Sequence, residues 1–321
     1  MISLSRLEKA ADTVYRAMPP TAQYVWPLLA EHAGCTVWVK HENHTPIGAF
    51  KLRGGLVLMD ERVKAGRTAG VISATRGNHG QSLAWAGRRF KVPVTIVVPR
   101  GNSPEKNAAM AALGAQLIEA GDDFDEARKA AQDLAQTRGL EMIAPFDPLL
   151  VAGVATYARE LFAATGALDA VYVPIGLGSG ICGVIAVRDL LGLKTRVIGV
   201  VSRRAAAYAR SFTAGRVVET ASADTFADGM AVRAPSAEAL AIILKGAERI
   251  VEVDDDAIAA AIRLYFQATH NIAEGAGAAT LAALLQERDK MRGKSVALVL
   301  SGGNIDLDVF AKLLREGENH G

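Results

Sequence analysis

Six short runs rich in β-branched residues punctuate the chain: residues 36–40 (TVWVK), 69–74 (AGVISA), 92–99 (VPVTIVVP), 170–176 (AVYVPIG), 196–201 (RVIGVV) and 295–303 (SVALVLSGG). A strand with one wet face alternates apolar and polar residues. These runs are almost continuously apolar, so each predicts a strand covered on both faces, as in parallel sheets. Between them lie Ala-rich stretches of helical length. Residues 76–90, 105–115 and 122–139 predict helices; the first is entered through a glycine turn, and the third is capped by Asp122 or Asp123 and stopped at Gly139. Strands alternating with such helices predict an α/β fold in which most crossovers are helical.

Composition narrows the class. With 321 residues, half of them apolar, the chain can bury a large core, and its length suits one catalytic unit of two lobes. The 36 basic and 34 acidic residues nearly cancel without long single-sign runs, which argues against a nucleic-acid or anionic-membrane surface. The opening residues carry spaced charges where a secretory signal has an unbroken apolar stretch, and no window of about 18 apolar residues follows. A cytoplasmic protein is expected. Cys35 and Cys182 are the only cysteines and the six histidines contain no HExxH pair, so neither a disulfide framework nor metal catalysis is expected.

Four segments carry candidate chemistry. GLGSG at residues 176–180 follows a strand and opens a helix, where free backbone N–H groups can hold a phosphate; it matches neither the nucleoside-triphosphate loop nor the dinucleotide fingerprint. A glycine turn there can equally be steric. Lys51 lies in GAFKLRGG among Gly48, Phe50, Gly54 and Gly55, an unusual setting for a residue that is ordinarily solvated; a covalently bonding lysine needs a sheltered, neutral amine. SATRGNHGQS (residues 73–82) and SGGNID (residues 301–306) each put hydroxyl, amide and glycine groups after an apolar strand. Open α/β sheets bind ligands at their strand C-termini, so all four segments can meet in one cleft.

These segments, with TFADGMAV (residues 225–232) and AEGAGA (residues 273–278), occur in an order that resembles the fold-type II pyridoxal phosphate family near the threonine dehydratases and serine racemases. The resemblance covers essentially the whole chain. It implies two open, twisted α/β lobes, as in the tryptophan synthase β chain, with pyridoxal 5′-phosphate between them. Residues 1–60 and 145–321 would form the large cofactor-binding domain and residues 61–144 the small one. It implies that Lys51 is the Schiff-base lysine and the base at Cα, that Phe50 packs on the cofactor ring, and that Asn78 bonds the ring 3′ oxygen. Gly176, Leu177, Gly178, Ser179 and Gly180 would hold the phosphate, and Ser301 would face the pyridine nitrogen. Ser73, Arg76, Gly77, Asn78 and His79 would form the loop that grips the substrate carboxylate, although a capped strand-to-helix turn has the same composition. Glu274 either sits beside the cofactor or caps a helix.

A neutral serine opposite the pyridine nitrogen cannot stabilise a protonated ring, so the carbanion at Cα is short-lived and loss of a β-hydroxyl is favoured. The implied activity is α,β-elimination from an L-β-hydroxy amino acid, threonine or serine, giving a 2-oxo acid and ammonia. Arg76 stands where serine racemases carry a proton-handling serine, which argues against racemisation; facing inward, it would suit a hydroxyaspartate-like substrate. Phenylserine dehydration and β-replacement are further alternatives. Ser202 and Tyr208 stand where metal-stimulated relatives carry two carboxylates, so no metal is expected there. The residues after SGGNID are too few for a regulatory domain, and a homodimer is implied by analogy.

Overall fold

The computed structural model describes residues 2–316. Its ten strands form two sheets. The larger has the order β1 (Gln23–Val25), β2 (Thr36–His41), β10 (Ser295–Leu300), β7 (Ala170–Pro174), β8 (Arg196–Ser202), β9 (Arg249–Val253). The smaller has the order β5 (Gln116–Glu119), β4 (Val94–Val98), β3 (Val71–Ala74), β6 (Glu141–Met142). All neighbouring pairs are parallel except β1 and β2, which run antiparallel at one edge. Among the described residues, no helix is long and apolar enough to cross a membrane.

The uninterrupted apolar runs have a direct explanation. Val171 and Val173 of β7 enter one core while Ala170 and Tyr172 enter another on the opposite face. In the smaller sheet, Val94, Ile96 and Val98 of β4 point to one core and Val97 to the other. Helices cover both faces, so both sides of these strands are largely apolar. The three predicted helices occur as Asn78–Phe90, Pro104–Ala112 and Phe124–Arg138. Asp123 caps the last, accepting from Glu126 N at 2.9 Å, while Asp122 turns to Arg100 at 2.7 Å; Gly139 ends it in the left-handed region.

The helix Lys51–Lys64 lies between the sheets and packs against helices from both sides. A Cβ on Gly54 would lie 2.9 Å from Leu150 O, and one on Gly55 would lie 2.3 Å from Ser82 Oγ. The opposite side of the first contact is also glycine, since a Cβ on Gly153 would lie 2.1 Å from Arg53 O. Three helices thus meet where side chains are excluded.

Beneath this junction is a fully buried ionic cluster. The Arg53 guanidinium donates to Glu42 at 2.7 and 2.9 Å, to Glu160 at 2.6 and 2.9 Å, and to Thr156 at 2.9 Å. Lys40 donates to Glu160 at 2.5 Å, to Thr21 O at 2.8 Å and to Gln23 at 2.9 Å. Burial alone would raise the Glu160 pKa, but Arg53 and Lys40 hold it below the usual carboxylate value. Two cations face two carboxylates, so the cluster is electrically closed. We predict that Glu160→Gln, which leaves a buried cation without its counter-charge, lowers unfolding free energy by roughly 3–5 kcal/mol in urea titrations. A loss below about 1 kcal/mol would show that solvent reaches the cluster.

Candidate active site

The strand C-termini and the helices that follow them bring the predicted segments together. Phe50 N donates to Ser301 O at 2.9 Å, and Gly303 N donates to Gly48 O at 2.9 Å, so the turn after β10 is stitched to the start of the lysine helix. Lys51 opens that helix; its carbonyl accepts from Ser82 Oγ at 2.6 Å, which fixes it against the helix Asn78–Phe90. Its Nζ lies 5.1 Å from the centre of the Phe50 ring. Phe50 meets Tyr157 edge-on and comes within 3.7 Å of where a Cβ on Gly180 would lie. Lys51, Phe50, Gly180 and Ser301 therefore share one neighbourhood.

The ammonium of Lys51 is poorly solvated there. Burial lowers its pKa to about 8 from an ordinary 10.5, against the opposing pull of the Glu274 carboxylate. Near neutral pH the ammonium still predominates, but far more of the amine is neutral than in a solvated lysine, and the neutral form is the one that bonds a carbonyl carbon or accepts a proton.

The glycine loop is shaped by close approach. A Cβ on Gly176 would meet Gly229 O at 2.3 Å, and Gly178 adopts φ +100°, where a Cβ would meet that of Ala239 at 2.7 Å. Gly178 caps the helix Ser179–Leu190 without a side-chain hydrogen bond, so no side chain takes up the first N–H groups of that helix. Such donors at a helix N-terminus are the ordinary seat of a phosphate.

The Asn loop is bound more closely than its composition predicts. Asn78 Nδ2 donates to both Glu274 oxygens, at 2.9 and 3.0 Å, and Asn78 Oδ1 accepts from Asn304 Nδ2 at 2.8 Å. Asn304 also donates to Ile47 O at 2.8 Å, linking the Asn loop to the segment before Lys51. Glu274 occupies the N-cap position of the helix Gly275–Gln286 but makes no capping bond; its carboxylate serves Asn78. Burial raises its pKa, with Asn78 and Lys106 acting against that rise.

Other loop positions differ in what they offer. The Ser73 hydroxyl donates to Ile143 O at 2.8 Å inside the smaller lobe and is thereby taken up away from the cleft. His79 is buried with no partner for Nε2, and burial together with the Lys51 charge lowers its pKa to about 3. It is a neutral imidazole and adds no positive charge to an anion site. Gly77 has an extended backbone, and the aliphatic stem of Lys106 lies 3.0 Å from where its Cβ would be. Arg76 is exposed and lines a cavity of about 420 Å³ at the cleft mouth with Lys106, Asp228, Glu274, Asn304 and Asp306.

Sequence reasoning did not single out Asn304, Lys106 or Asp228, although Asn304 and Asp228 lie inside quoted motifs. Lys106, from the smaller lobe, reaches Asp228 of the larger at 2.5 Å, and Ser103 Oγ donates to Asp306 at 2.8 Å beside it. At the positions compared with metal ligands, Ser202 Oγ donates to Asp255 at 2.7 Å and Tyr208 Oη donates to Leu177 O at 3.0 Å.

The family model described as pyridoxal-phosphate dependent enzyme matches residues 17–302. Over 318 residues the chain is 34% identical to the L-threonine ammonia-lyase of Thermotoga maritima, covering 99% of this chain and 79% of that one. It superposes on the processed form of threonine deaminase isoform 2 from Solanum lycopersicum with a TM-score of 0.90 and 30% identity, over 98% of this chain and 94% of that one. A pyridoxal 5′-phosphate-dependent aspartate racemase superposes equally well, with a TM-score of 0.90 and 28% identity, over 96% and 97% of the two chains. The two sheets and the residues at their carboxyl ends thus belong to a fold-type II pyridoxal phosphate enzyme. The chain is a member of that family, on its threonine dehydratase side.

The lysine, the aromatic ring beside it and the uncapped glycine loop fit the cofactor: an amine for its carbonyl, a flat apolar contact and donors for its phosphate. Because Lys51 has a lower pKa folded than unfolded, the folded protein binds fewer protons between about 8 and 10.5. The cost of holding an ammonium in the cleft is therefore full below about 8 and fades as pH rises to the unfolded value. Lys51→Met in cofactor-free protein should raise stability at pH 7 by on the order of 1–3 kcal/mol, with the gain shrinking toward pH 10. Thermal melts across that range check this, and a gain independent of pH would contradict it.

Proposed function

We propose that the enzyme eliminates water from an L-β-hydroxy amino acid, threonine or serine, and that the enamine so formed is released and hydrolysed by water to a 2-oxo acid and ammonia. The observation that carries this reading is that a neutral serine, Ser301, is held beside the start of the lysine helix, its carbonyl accepting from Phe50 N at 2.9 Å. It is supported by the 34% identity to an L-threonine ammonia-lyase over 99% of the chain. When bound, pyridoxal phosphate supplies the electron sink for charge developing at Cα. Lys51 Nζ takes the Cα proton, its low pKa keeping a neutral amine available. Ser301 offers only a hydroxyl and so leaves that sink weak, which favours prompt departure of the β-hydroxyl. The Asn loop holds the substrate carboxylate through its N–H groups, and Asn78 turns one Nδ2 hydrogen from the Glu274 carboxylate to the cofactor oxygen. In the same reading the enzyme is a cytoplasmic homodimer, by analogy with the family.

A second reading is favoured by one specific feature. Arg100 and Lys106 in the cavity wall are paired with Asp122 and Asp228, at 2.7 and 2.5 Å, whereas among the described residues Arg76 has no carboxylate partner. A hydroxyaspartate-type substrate would bring one. An arginine there also disfavours racemisation, because it exchanges no proton near neutral pH.

Ammonia release from threonine, serine, 3-hydroxyaspartate and phenylserine, each without added thiol, tests both readings. Turnover of threonine or serine, lost in Lys51→Ala, is the expected result; no turnover of any of the four would overturn the proposal. If Arg76 reads a second carboxylate, Arg76→Ala lowers kcat/KM for hydroxyaspartate by roughly 10–100-fold while threonine changes little. An equal effect on both substrates would remove the second reading.

A further inference from the structure

Tyr208 lies on the helix Ala207–Ala214 after β8 and is 1% exposed. Its phenol oxygen joins two other segments. It accepts from Ser236 N at 3.1 Å and donates to Leu177 O at 3.0 Å, the second residue of the glycine loop. The direction of this chain is fixed, since an N–H can only donate and the hydroxyl proton must then point to Leu177 O. Burial raises the phenol pKa, so that proton stays in place.

The peptide so held is the one that most needs holding. A loop that receives an anion through N–H groups must turn its carbonyls away, because one reversed peptide replaces a donor with a repelling oxygen. The Leu177–Gly178 peptide can reverse easily, since Gly178 has no side chain and sits at φ +100° and ψ −7°. The Tyr208 oxygen is 3.4 Å from where a Cβ on Gly178 would lie, so the phenol also closes the back of the turn.

We propose that Tyr208 is a positioning residue for the cofactor phosphate: by binding Leu177 O it keeps the Gly178 N–H facing the phosphate site. The proposal rests on the glycine loop being that site, and not on which amino acid the enzyme consumes. Its signature is selectivity for the phosphate group, because pyridoxal can reach Lys51 without using the loop.

Protein stripped of cofactor, titrated separately with pyridoxal phosphate and pyridoxal and followed by visible absorbance, supplies the test. Tyr208→Phe should weaken pyridoxal phosphate by ~5–10-fold and pyridoxal by less than about twofold. Ser179→Ala, which removes a donor from the loop itself, should show the same selectivity. Equal weakening of both ligands by Tyr208→Phe, or none, would overturn the proposal. If Ser179→Ala alone is phosphate-selective, the loop reading survives without the tyrosine; if neither variant is selective, the loop reading fails as well. Should Tyr208→Phe not fold, hydrogen exchange in the wild type decides. The Gly178 amide should be protected by pyridoxal phosphate and not by pyridoxal, and protection by both or by neither would count against the assignment.

Discussion

A buried arginine two residues after Lys51 constrains everything above it. Arg53 spends its guanidinium donors on Glu42, Glu160, Thr156 and Thr21, which come from three other parts of the chain. Desolvating a guanidinium is costly, and the cost is offset only while all these acceptors are in register. That requirement fixes the rotation of the lysine helix about its own axis. The direction in which Lys51 leaves the helix follows from it, so an interaction with no polar contact to the cleft sets the geometry of the cleft.

The site itself is a set of backbone ends restrained from behind. Phe50 is tied through its N–H to Ser301 O, Lys51 through its carbonyl to Ser82, Asn78 through both ends of its amide, and Leu177 through Tyr208. The restraints on Phe50, Lys51 and Leu177 engage main-chain atoms, while Asn78 is held by Glu274 and Asn304, which also line the cavity at the cleft mouth. The groups left over, an amine, a ring face, a hydroxyl and a row of N–H donors, are those a phosphorylated aldehyde and an amino acid can use.

Much of this was legible in the chain. The strands at β2, β3, β4, β7, β8 and β10 announced themselves because burial on both faces leaves few polar residues in them. The strands that escaped are short or half-wet: β5 reads QLIE and β9 reads RIVEV, with charges where one side meets solvent, and β6 has two residues. Local pattern does not reveal a strand whose existence depends on its neighbour. The same holds for site partners. The Asn78 to Glu274 bond joins residues 196 apart, and the Tyr208 to Leu177 bond ties a residue of the glycine loop to one 31 positions on that lies outside the quoted motifs. Sequence order gave the list of segments, while the contacts between them came from the topology.

The glycines beside Lys51 have a meaning for lineage as well as for packing. Gly54 and Gly55 are required by the backbones of two neighbouring helices, whatever happens at the amine. A descendant that lost its chemistry would still have to keep them in order to fold, together with Arg53. In such a descendant the stretch around residue 51 would look almost intact, and Lys51 itself would be the first residue free to drift. Among copies of this gene, one side chain would therefore separate a working catalyst from a relic that retains only the architecture.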